Sequence, residues 1–328
     1  MKIIKKIIRL IKYPQIINHF NKWYFQTTKT GDVYVCIGGI GDIVWFLSFW
    51  EQYKKKANIV NYNILAKKQY HSIFPLYGEK NLINFDAEIY QMIMKLWYKE
   101  KIAKYPKIQV LAFPKWPYAK SSAIEENFCA SLGLMVDDCY RFGAFDLSYE
   151  DISPIAKPIK SKTKILIETK NNILLVPYAN SRINIPIEFW EKIVIELNKL
   201  GYSVYTNIGT KSDVTIKGSK PLVANIDELP ILLMKNKFIS ICARCGLADW
   251  LFVNECKQLI IHSCMIKPRT RREWLCSALE KKDSFTEMSK KNKLNENIVD
   301  DTWVYIDKNN YTNEIEKIIE KIKFLKNR

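Results

Sequence analysis

Two short stretches of this chain carry the residue types that handle phosphate and move protons. In the first half, V-Y-V-C-I-G-G-I-G-D-I-V-W runs from an apolar strand through Gly38, Gly39 and Gly41 to Asp42 at the mouth of an apolar helix. In the second half, F-I-S-I-C-A-R-C-G-L-A-D-W-L passes through Arg244, Cys245 and Gly246 to Asp249. A glycine turn between strand and helix lets backbone N–H groups approach a diphosphate or a developing anion at the positive end of the helix. A carboxylate at such a turn can take a proton from a hydroxyl, and an arginine there adds a bidentate cation for phosphate. Each residue also has a structural reading. Asp42 is a favoured N-cap for a helix beginning at Ile43, the three glycines can make a tight turn without a ligand, and Arg244 can pair with Asp249. The first turn is not the dinucleotide fingerprint, because G-G-I-G-D lacks the G-x-G-x-x-G spacing.

These turns need parallel strands to hold them, and the pattern supplies them. In the first half, strands are expected at 33–37, 61–65, 82–85 and 108–113, with helices at 43–55, 88–104 and 121–132. A Pro- and Lys-rich stretch at 153–164 reads as a linker. The second half restarts with strand 172–176, helix 187–200 closed by Gly201, strand 203–207, helix 227–234, strand 238–242, helix 247–254 and strand 258–262. The stretch 281–297 reads as a polar loop or surface helix, and 310–326 as an amphipathic basic helix with Ile315, Ile318, Ile319, Ile322 and Leu325 on one side. Strand–helix alternation of this kind argues parallel sheets covered on both faces.

The 328 residues suffice for two domains, and 48% apolar residues speak for a folded chain. A net charge of +17 points to an acidic partner: nucleic acid, an anionic membrane or a phosphorylated small molecule. Without a helix-turn-helix, zinc finger or RNP-type motif, nucleic acid is not the expected partner. Much of the charge gathers at the start, where Lys2, Lys5, Lys6, Arg9 and Lys12 face away from Ile3, Ile4, Ile7, Ile8 and Ile11. Lysines interrupt every apolar run, so this is no spanning helix or signal peptide; it reads either as a membrane-surface helix or as one packed on its own domain. The eight cysteines lack a disulfide spacing and read as reduced, buried thiols, the Cys242/Cys245 pair included. With three histidines, His19, His71 and His262, and none at ligand spacing, no metal is expected. Trp45, Trp50 and Trp190 read as core residues.

Six segments in order resemble the heptosyltransferase-like enzymes of glycosyltransferase family 9. They are G-G-I-G-D at 38–42, A-I-E-E-N-F-C-A-S-L-G-L at 123–134, L-L-V-P-Y-A-N-S at 174–181, P-I-E-F-W-E-K-I at 186–193, L-G-Y-S-V-Y-T-N at 200–207 and I-D-E-L-P-I-L-L-M-K-N-K-F-I-S at 226–240. The resemblance implies an α/β chain of GT-B architecture, with two Rossmann-like domains facing a cleft. Its parts would be a basic leader helix at 1–24, an acceptor-binding domain at 25–155 and a nucleotide-sugar-binding domain at 156–328 with a terminal helix. It implies an inverting transfer from a nucleotide-sugar donor to a lipid-linked or polysaccharide acceptor in bacterial lipopolysaccharide or capsule synthesis. The enzyme would work in the cytoplasm, peripherally on the inner face of the plasma membrane, with no cofactor and no metal.

By the same resemblance Asp42 falls on the catalytic aspartate, beside an acceptor and oxyanion loop of Gly38, Gly39 and Gly41. Donor contacts fall on Tyr178, Asn180, Ser181, Arg182, Arg244, Cys245, Gly246 and Asp249. Asn207, Gly218, Ser219 and Asp227 read either as lining of the nucleoside pocket or as ordinary loop-turn residues. The chain departs from the family pattern in two places. Ala243, Arg244 and Cys245 replace the usual acidic and small polar residues before the glycine, and R-x-G-L-x-D resembles capsule and lipopolysaccharide glycosyltransferases more closely. Ile183, Asn184 and Ile185 stand where family members often carry a lysine, leaving Arg182 as its substitute. The alternative is another nucleotide-sugar enzyme of the same fold, such as an epimerase.

Overall fold

The computed structural model describes residues 2–111, 171–179, 183–267, 286, 299–306 and 311–327, with backbone alone for 2–13. The expected helix at 121–132, the linker at 153–164 and most of the stretch at 281–297 lie outside the described residues.

Three parallel strands form the first sheet: β1 (Asp32–Cys36), β2 (Tyr62–Leu65) and β3 (Ile108–Leu111), in the order β2-β1-β3. Around it lie α1 (Lys2–Thr27), α2 (Ile40–Lys56) and α3 (Ala87–Tyr98). Alternation along β1 sorts the layers. Val33 and Val35, with Ile37 beyond the strand, pack with Phe20 and Tyr24 of α1 and with Ile89, Met92 and Ile93 of α3; Tyr34 and Cys36 share a core with α2. The candidate strand at 82–85 is a single bridge, Ile64 to Leu82. The expected helix at 88–104 stops at Tyr98, because Glu100 takes a left-handed φ of 58°, and a separate 3-10 turn covers Ile102–Lys104.

Six parallel strands form the second sheet: β4 (Asn172–Val176), β5 (Ser203–Asn207), β6 (Lys220–Leu222), β7 (Ile239–Ala243), β8 (Gln258–Cys264) and β9 (Val299–Tyr305). The helices among them are α4 (Ile187–Lys199), α5 (Leu229–Lys235), α6 (Gly246–Val253) and α7 (Thr312–Asn327). The spatial order β6-β5-β4-β7-β8-β9 reads 3-2-1-4-5-6 within this sheet. It is a doubly wound order whose direction reverses between β4 and β7, and the crevice beyond the carboxyl ends of those two strands is where such sheets bind ligands.

Both amphipathic helices at the ends of the chain have packing roles. Phe20 and Tyr24 of α1 are buried against the first sheet, and Tyr105 meets both rings edge-on. From about residue 16 onward α1 therefore packs against the core. The apolar face of α7, Ile315, Ile318, Ile322 and Leu325, is likewise buried. Residues 43–50 of α2 are buried without a break, because the first sheet covers one side of the helix and α6 the other. One hydrophobic core runs from β1 through α2 and α6 into the second sheet.

Candidate active site

The first turn is built around the Asp42 carboxylate. Gly38 has φ 115°, and a Cβ there would stand 2.1 Å from Asp42 Oδ2, so conformation and space both demand glycine. The helix starts at Ile40, three residues earlier than the sequence suggests, which moves Asp42 from the cap to the third helical position. From there its Oδ2 accepts the Gly39 N–H at 2.7 Å, the reach-back half of a capping box. The N-cap reading is corrected accordingly: Asp42 caps the helix start from inside the first turn. Lys67, just past β2, donates from Nζ to the Gly38 carbonyl at 2.8 Å and sets a cation beside the same turn.

The second turn meets the first directly. A Cβ on Gly246 would lie 2.5 Å from the Gly41 nitrogen, and one on Gly41 would lie 2.6 Å from Asp249 Oδ2 and 2.8 Å from the Gly246 Cα. Two glycines thus let two helix N-termini touch. Arg244 and Asp249 are both buried and pair through two contacts, Nη1 to Oδ2 and Nη2 to Oδ1, each 3.0 Å. The buried Trp45 indole of α2 donates to Asp249 Oδ1 at 3.2 Å. The ion pair that the sequence left as an alternative to phosphate binding is formed.

Burial raises the Asp42 carboxyl above its ordinary value. The Gly39 N–H opposes that rise, the negative charge of Asp249 adds to it, and Lys67 again lowers it. A half-buried carboxylate displaced toward neutrality, at the carboxyl edge of one sheet and facing the turn of another, is equipped to accept a proton.

The fold is similar to those of two solved structures. One is E. coli heptosyltransferase WaaC with ADP, at 9% identity, covering 88% of this chain and 99% of that one with a TM-score of 0.50. The other is the glycosyl transferase family 9 from Veillonella parvula DSM 2008, at 12% identity, covering 90% and 96% with a TM-score of 0.50. The fold is GT-B-like. By sequence the chain matches no protein-family model and no curated protein.

Within this GT-B-like frame the remaining candidate residues separate. Tyr178, just past β4, exchanges hydrogen bonds with the backbone of Val214, its hydroxyl donating to the carbonyl and accepting the N–H at 3.1 Å, and so ties down the loop after β5. Asn207 closes β5 and is half-buried, as is Asp227, two residues ahead of α5. Ser219 bonds Thr206 of β5 at 2.6 Å and, within its own turn, the Ile216 carbonyl at 2.7 Å. The Gly218 carbonyl accepts from Asn198 of α4 at 3.1 Å. These bonds give Ser219 and Gly218 loop-packing roles. Asn180, Ser181 and Arg182 lie outside the described residues.

Cys242 and Cys245 are free and buried, and burial pushes both thiols upward, the reverse of what redox or metal chemistry needs. Cys36, Cys256 and Cys264 are also free and buried, while Cys129, Cys139 and Cys276 lie outside the description. Among the described residues no three His, Cys, Asp or Glu side chains gather as metal ligands. His71 bonds the Ala66 carbonyl at 2.9 Å, and His19 reaches the helix-capping Asp86 at 3.0 Å. Sequence reasoning missed Lys67 because it follows a strand with no motif around it. It also missed the polar task of Trp45, since the partner is 204 positions away.

Proposed function

We propose that the chain is an inverting glycosyltransferase that moves a sugar from a nucleotide-sugar donor to a lipid-linked or polysaccharide acceptor in surface-glycan synthesis. The observation that carries this reading is the Asp42 carboxylate, raised in pKa and set where the two glycine turns touch. In the reaction an acceptor hydroxyl gives its proton to Asp42. Its oxygen attacks the anomeric carbon from the face opposite the diphosphate, and the bonding pair leaves with the nucleoside diphosphate. That leaving group would rest at the β4/β7 switch, against the α6 N-terminus, with Asn180, Ser181 and Arg182 supplying amide, hydroxyl and guanidinium donors.

The WaaC structure is of that enzyme with ADP, which makes ADP-sugars the first donors to try. Among the described residues no helix is long and apolar enough to cross a membrane. The five cations and five isoleucines of the first twelve residues support docking on an anionic bilayer, where a lipid-linked acceptor would lie. Calorimetric titration with UDP-, GDP-, ADP- and CMP-sugars tests the donor class. Tight binding of one nucleotide set supports the reading, and binding of none contradicts it.

A further inference from the structure

We infer that Trp45, Arg244 and Asp249 form a latch between the two sheets, with Asp249 as a positioning residue for Asp42. Arg244 directly follows β7 and Asp249 lies in the first turn of α6, so their pair alone would be a local brace. Two further contacts make it a joint. The Trp45 indole crosses from α2 to Asp249 Oδ1 at 3.2 Å, and Asp249 Oδ2 lies where any side chain on Gly41 would have to stand. Beside this joint Tyr77 stacks on Trp250 of α6, with ring centroids 6.4 Å apart and planes 24° from parallel, so a second element of the first half closes on the same helix.

All three latch residues are buried, with 1% of Trp45, 4% of Arg244 and 3% of Asp249 exposed. A buried carboxylate held by a guanidinium and an indole N–H keeps one geometry, because swinging away would strand a charge in an apolar core. Residue 41 is held against Asp249 and residue 42 carries the candidate base, so the latch sets where that base points. The charged and titratable groups facing Asp42 are Lys67 from the segment after β2, Tyr90 from α3 and Asp249 from α6. Arg244 stands behind Asp249 and offsets its charge.

The bearing of the latch on turnover rests on the proposed function; the latch itself does not. Its test therefore uses the full-length protein without substrate, comparing wild type with Trp45→Phe, Asp249→Asn and Arg244→Met. Hydrogen exchange is followed in segments 38–46, 244–250 and 258–264. The Asp42 carboxyl is titrated by NMR with 13C-labelled aspartate, its signal assigned by loss in Asp42→Asn. Trp45→Phe should speed exchange in both 38–46 and 244–250 by roughly threefold to tenfold, the factor for one lost hydrogen bond, and leave 258–264 unchanged. Asp249→Asn should move the Asp42 midpoint down, and Arg244→Met should move it up. A response confined to 244–250, or an Asp42 midpoint indifferent to residue 249, overturns the inference. Should Asp249→Asn or Arg244→Met fail to fold, Trp45→Phe decides by exchange alone. Normal turnover in Asp42→Asn would remove the proposed base and leave every one of these readouts standing.

Discussion

Gly246 lies so close to Gly41 that a Cβ on the former would come within 2.5 Å of the latter's backbone nitrogen. This is a close approach of backbone to backbone across the junction between the two sheets. It brings together the N-termini of α2 and α6, the helices that open the two turns where the candidate chemistry sits.

Gly246→Ala is therefore expected to cost about 1 to 3 kcal/mol, the range for overpacking against atoms that cannot yield. The atoms met are backbone atoms of Gly41 and the Ile40 Cγ2 at 3.1 Å. Gly209→Ala is the control, since its Cβ would make ordinary contacts at 3.6 Å. Denaturant unfolding of the two variants measures the difference, and equal stabilities would mean the turns do not touch in solution.

Asp42 links the site to stability through pH. A carboxyl raised in the folded state binds its proton more tightly there than in the unfolded chain, so stability falls as pH climbs from the ordinary carboxylate pKa of about 4 through the raised folded value. Asp42→Asn keeps an oxygen for the Gly39 N–H and removes the ionisation. It should be more stable than wild type at pH 7, with the gain shrinking toward zero below about pH 4. Thermal melts of both proteins from pH 3.5 to 8 check this, and a variant destabilised at neutral pH would contradict the raised carboxyl.

Much of this was legible in the sequence, and the gaps have physical causes. β4 and β5 stand where their apolar runs put them, and Gly201 closes α4 with φ 77°. β9 escaped notice because V-D-D-T-W-V-Y carries two carboxylates mid-strand. Burial would raise Asp301, but the His262 ring N–H at 2.7 Å and the Thr286 N–H and hydroxyl, also at 2.7 Å, outweigh it and hold the carboxyl low. Asp300 meets Lys321 of α7 at 2.7 Å. β6 is a three-residue edge strand with an exposed Pro221, too short for any period to show. In the site, sequence reasoning found Gly38, Gly39, Gly41, Asp42, Arg244, Gly246 and Asp249 as two separate turns. Their mutual contact depends on how α2 meets α6, which no local pattern encodes.

The membrane reading concerns the first turns of α1, and the packing observed from Ile16 onward is a separate role. Deleting residues 2–12 should abolish co-sedimentation with anionic vesicles, at about 1 kcal/mol per lost cation at low salt, and leave the melting temperature nearly unchanged. Phe20→Ala should do the reverse, costing about 3 to 5 kcal/mol of stability for a ring that is 1% exposed. Vesicle sedimentation at two salt concentrations, paired with melts, separates the two roles. Vesicle binding that survives the deletion would move the docking surface elsewhere.

Whether Asp42 is the base of a sugar transfer is decided by one comparison. Once a donor has been identified by calorimetry, single-turnover transfer to a lipid-linked acceptor is measured for wild type and Asp42→Asn at saturating donor. Donor affinity should be unchanged and the rate lower by about a hundredfold or more, the scale of a lost general base. Transfer by a folded, donor-binding Asp42→Asn protein at close to the wild-type rate would contradict that role.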